Sequence, residues 1–75
     1  MPFEVRLSEP PLLDELMSAF LRNGCLAQRV AADSCVVIHV HASDDREARR
    51  ELGFFVRSWQ LRHPSVSASL SYERV

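Results

Sequence analysis

Phe3, Val5 and Leu7 alternate with Glu4, Arg6 and Ser8, the period of a strand with one buried face. Ser8-Glu9-Pro10-Pro11 stops that strand and opens a helix, because proline fits the first helical turn and Ser8 or Glu9 can cap it. Leu12, Leu13, Leu16, Met17, Phe20 and Leu21 then fill one half of a helix, with Asp14, Glu15, Ser18 and Arg22 on the other half. Asn23-Gly24 is the helix stop, Gly24 suiting the left-handed position. A weaker strand over 25–30, a turn at Ala31-Ala32-Asp33-Ser34 and a strongly β-branched strand over 35–41 read as a hairpin. Ser43-Asp44-Asp45 opens a second helix, with Asp44 and Glu47 spaced as in a capping box. Ala48, Leu52, Phe55, Val56 and Trp59 form its buried stripe, and His63-Pro64 ends it. In the last strand Val66, Ala68, Leu70 and Tyr72 alternate with Ser65, Ser67, Ser69, Ser71 and Glu73, so its outer face is nearly all serine.

The order β-α-β-β-α-β predicts an α+β fold, a ferredoxin-like sandwich with two helices on one face of a four-stranded antiparallel sheet in the order 4-1-3-2. The 75 residues make a single domain, 1–75. Burial of apolar surface supplies roughly 110 kcal/mol at ~25 cal/mol per Å², and ordering the chain costs about the same at ~1.5 kcal/mol per residue. Such a balance describes a marginal domain that self-association would help. With 47% hydrophobic and 25% charged residues, the composition excludes long disorder, collagen and coiled coil. No apolar run approaches the ~20 residues of a membrane span, and Met-Pro-Phe-Glu lacks the basic flank and apolar stretch of a signal peptide. A net charge of −1 argues against a nucleic-acid partner. All 9 basic residues are arginine, scattered among 10 acids as on a solvated surface, a usage consistent with a GC-rich genome.

With Val36, Ile38 and Val40 assigned to the helix side, the open sheet face is expected to carry Glu4, Arg6, Arg29, Val37, His39, His41, Ser67, Ser69 and Ser71. No aromatic stands there, which removes the RNA-recognition motif. Ser8-Glu9-Pro10-Pro11 occupies the first loop in place of the Cys-x-x-Cys of heavy-metal-associated domains. The phosphate loop of acylphosphatases is absent too. In size and element order the chain resembles amino-acid-binding ACT domains. That resemblance implies a dimerising regulatory domain and a small-molecule site, with Glu4, Arg6, His39 and His41 as the ligand-binding candidates. The Asn23-Gly24-Cys25 turn, together with Ala48-Arg49-Arg50-Glu51-Leu52 and Trp59-Gln60-Leu61-Arg62-His63-Pro64, resembles small uncharacterised proteins of high-GC bacteria, a resemblance that carries no activity with it.

His39 and His41, about 7 Å apart on one strand face, could hold a metal, with Cys25 as a conceivable third ligand, but a closed site wants four. No metal or other cofactor is expected. Cys25 and Cys35 lie about 16 Å apart along the hairpin, too far for a disulfide, so both are read as reduced thiols of a cytoplasmic protein. Cys35 and His39 are too far apart to share a proton. No Ser-His-Asp set, phosphate loop or carboxylate pair marks an enzyme. The informative anomaly is on the second helix. Phe54 and Leu61 stand one above the other on the side that should be wet, with Arg50 and Arg57 beside them, as in an interface anchor. Gly53 beside Phe54 is read as a mark of close approach by another element. The serine strand is a weakly charged sheet edge open to pairing. The expected function is therefore a non-enzymatic association module, most simply a homodimer, with Phe54, Arg57, Leu61, Ser67 and Ser69 at the interface. Small-molecule sensing on the open face is the alternative.

Overall fold

The computed structural model describes residues 2–72. The side chain of Tyr72 and all of Glu73, both placed by the alternation of the last strand, lie outside the described part. Four strands, Phe3–Leu7 (β1), Cys25–Ala31 (β2), Ser34–His39 (β3) and Ala68–Tyr72 (β4), and two helices, Leu13–Arg22 (α1) and Asp45–Leu61 (α2), follow in the order β1-α1-β2-β3-α2-β4. Every pairing is antiparallel and the sheet runs β2-β3-β1-β4, which is 4-1-3-2 read from the other edge.

One face of the sheet contributes Phe3, Val5, Leu7, Cys35 and Val37 to the core. Against them α1 sets Leu13, Leu16, Ala19 and Phe20, and α2 sets Ala48, Leu52, Val56 and Trp59. The half-buried Phe55 stacks on Phe20 with ring centroids 4.6 Å apart and ties the helices together. Leu21, expected in the stripe, is 55% exposed. At ~100° per residue it stands about 130° from the centre of the buried stripe, and the small Ala19 takes the sheet side instead.

The first helix starts later than its sequence signals suggest. The chain passes through a 3-10 turn at Pro10–Leu12 with no side-chain cap. The Ser8 hydroxyl instead accepts from the Ser67 N–H at 2.8 Å, while the Ser8 N–H donates to the Ser67 carbonyl at 2.9 Å. These bonds fasten the end of β1 to the approach of β4, so the serine is used up in strand pairing. Gly24 has φ +81°, the left-handed backbone that glycine enters without strain, and a Cβ there would also lie 3.2 Å from the His41 ring. At the start of α2, Asp44 accepts from the Glu47 N–H at 2.8 Å, and the Glu47 carboxylate accepts from both the N–H and the hydroxyl of Ser43. Those bonds, the hydroxyl first, hold the Glu47 carboxyl below its ordinary range.

The third strand corrects the expected facing. Val36 and Ile38 stand on the open face, and Cys35, Val37 and His39 stand on the helix side. The pairings Val5↔Cys35 and Phe3↔Val37 require it, because paired residues share a face. Strand β3 also ends at His39, leaving Val40 and His41 in the following turn. A shift of one residue exchanges every side chain between faces.

Candidate functional site

The open face is built in three cross-strand rows. Leu26 and Ile38 form the first, Gln28, Val36, Glu4 and Ser71 the second, and Ala31, Ser34, Arg6 and Ser69 the third. The face therefore grades from aliphatic at one end to charged and hydroxylic at the other. Leu26 is 57% exposed and Ile38 42%, and Val40, just beyond β3, is 53% exposed. At the polar end Arg6 lies 3.7 Å from Glu4 and 3.9 Å from Asp33, open to solvent and worth little to stability. Arg6, Ser8, Asp33, Ser67 and Ser69 line a shallow recess of about 340 Å³ there.

Of the four residues expected to form a ligand site, only Glu4 and Arg6 come together. His39 points into the helix layer, where its Nε2 meets Glu51 Oε1 of α2 at 3.0 Å. His41 sits in the turn beside Gly24, on neither sheet face with the others. What the sequence reading missed is the pairing Cys25↔His39, which places a thiol, an imidazole and the Glu51 carboxylate near one another. This set is ill suited to nucleophilic chemistry. Burial raises the Cys25 thiol above its ordinary value, and the Glu51 charge raises it further, so the thiolate is disfavoured. The inward Nδ1 of His39 has no hydrogen-bond partner among the described residues, the Cys25 thiol included. The His39–Glu51 contact instead straps α2 to β3. Among the described residues no three His, Cys, Asp or Glu side chains are grouped to hold a metal ion. Cys25 and Cys35, buried and four strand positions apart, are both free thiols.

His63 makes a second strap. Its Nδ1 lies 3.0 Å from the Trp59 carbonyl and its Nε2 3.3 Å from Glu15 of α1, with its ring stacked on Trp59 at 4.1 Å.

Phe54 and Leu61 point away from the sheet, 64% and 78% exposed. Arg57 lies between them and lines a recess on either side. Among the described residues nothing lies within 4 Å of where a Cβ on Gly53 would stand, so none of them makes the close approach that its glycine suggested. Of the serines expected at an interface, Ser67 is engaged with Ser8, while Ser69 lies on the open face of edge strand β4. No helix among the described residues is long and apolar enough to cross a membrane. Compared with known proteins, the chain matches no family model, no curated relative and no solved structure.

Proposed function

We propose that this chain is a non-enzymatic association module of the ferredoxin-like class that pairs with a second copy of itself through the aliphatic end of its open sheet face. The observation that carries the reading is the run Leu26, Val36 and Ile38, side by side on β2 and β3 with no helix over them, extended by Val40. A two-fold axis near Ile38 lays this run against its own copy, an isologous contact that closes and leaves the charged row outside. Full burial of an aliphatic side chain gives ~1.5–3 kcal/mol; Leu26, Ile38 and Val40 are already about half covered, and Val36 is covered further. Those three, six across the pair, yield on the order of 6 kcal/mol, against an association cost that starts at ~4 kcal/mol. The dimer is accordingly weak and depends on concentration. Two buried, unpaired thiols fit a reducing compartment and support a cytoplasmic location.

Sedimentation across a concentration series tests the proposal. The wild-type chain is expected to pass from monomer to dimer only at high concentration, in the millimolar range. Ile38→Glu, at an exposed site where the fold tolerates a charge, is expected to remain monomeric with an unchanged melting curve. A folded variant that dimerises like the wild type sinks the reading.

A further inference from the structure

We propose that the outer face of α2 is a docking site for an acidic segment of a different protein, one that presents an apolar side chain between carboxylates. At ~100° per residue, Arg46, Arg50, Gly53, Phe54, Arg57 and Leu61 fall within about 100° of one another, directly opposite the buried stripe of Ala48, Leu52 and Trp59. Three arginines and two large apolar side chains thus share one face, and no acid stands in it. The nearest acids border it: Glu51 is held by His39, and Glu47 is bonded to Ser43 while also feeling the Arg50 charge, which leaves Arg57 and Arg46 as the arginines of this face with no acid paired to them among the described residues. Arg50 and Arg57 flank a recess of about 210 Å³ whose walls also include Arg49 and Phe54 and whose floor is Gly53.

Gly53 weakens the helix relative to alanine, and nothing among the described residues requires it, since a Cβ there would meet open space. What the missing side chain leaves is open space beside the Phe54 ring, within the recess that Arg49, Arg50 and Arg57 also line. Guanidinium groups on either side suit carboxylates, which they can hold in bidentate fashion.

The charge pattern also selects among occupants. A second copy docked here symmetrically is disfavoured by charge. An antiparallel two-fold contact that joins Phe54 and Leu61 sets Arg57 against Arg57 or Arg50 of the copy, with no acid in the stripe to relieve it. A lipid surface would be held by only two large apolar side chains, far fewer than an interfacial helix buries. An acidic, apolar-anchored segment satisfies both the arginines and the recess, the combination expected of an interface hot spot. The inference does not rest on the dimer, because this face points away from the open side of the sheet.

The test is a titration of the full chain into a fluorescein-labelled peptide in which leucine and phenylalanine alternate with glutamate, followed by anisotropy. Binding is expected to saturate and to weaken as salt rises. It should fall about tenfold or more in Arg50→Ser/Arg57→Ser and in Gly53→Leu. Gly53→Ala should raise the melting temperature while weakening the peptide, two opposite shifts that a purely structural glycine would not give. Ile38→Glu should leave peptide binding unchanged, which separates this face from the dimer. The proposal is overturned by any of four results: no saturable binding; equal binding of a peptide with lysine in place of glutamate; tighter binding of phosphatidylserine vesicles or single-stranded DNA; or loss of self-association in Phe54→Glu/Leu61→Glu.

Discussion

Ser34 is 1% exposed, and its hydroxyl has no hydrogen-bond partner among the described residues. A buried hydroxyl without a partner costs ~1–3 kcal/mol. Ser34→Ala is therefore expected to leave the melting temperature unchanged or raise it, and a clear fall on thermal denaturation would contradict that. One position further on, burial pushes the Cys35 thiol up to about 11, with Arg29 opposing the shift and Glu4 adding to it. The folded chain thus keeps a proton that the unfolded chain, with a thiol near 9, gives up. Stability from this site is full below about pH 9 and declines as pH rises toward about 11. Denaturant melts at rising alkaline pH should show the decline in the wild type and a shallower one in Cys35→Val. The same protonation makes Cys35 slow toward alkylating reagents in the native state.

The elements differ in how far their sequence fixes them. In α2 the seventeen residues Asp45–Leu61 complete several turns, so the helical angle had only one phase, and Phe54 and Leu61 had to point outward. The Asp44–Glu47 spacing was equally legible, and the cap it describes is in place. Asp44→Ala is expected to cost about 1 kcal/mol, seen as a lower melting temperature with fraying confined to the first turn of α2. In β3, by contrast, Cys35-Val36-Val37-Ile38 is apolar in both phases, and a period of two carries no phase without contrast. Setting Val36, Ile38 and Val40 toward the helices puts His39 on the open face by alternation alone. Its true environment depends on Glu51, a residue on another element that no local pattern reveals. Hence the helix face was readable and the aliphatic end of the sheet was not.

The whole molecule is a sheet with one covered and one open side, so its two proposed surfaces point in opposite directions. A pair joined through the sheet would carry two outward α2 faces and could engage a partner with two acidic segments at once, gaining from effective concentration what each single contact lacks. The order β2-β3-β1-β4 has a further consequence, for the time the fold takes to form. Only the β2–β3 hairpin joins neighbours in sequence; the central strand β1 finds both its partners far along the chain, and Phe3 pairs with Tyr72. Closing such a loop costs entropy before any contact repays it, so the rate should belong to the milliseconds of mixed, non-local domains rather than the microseconds of helical ones. Until Ala68–Tyr72 has been synthesised, one edge of β1 stays unpaired on the growing chain, and that interval is when a nascent copy is most exposed to pairing with the wrong strand.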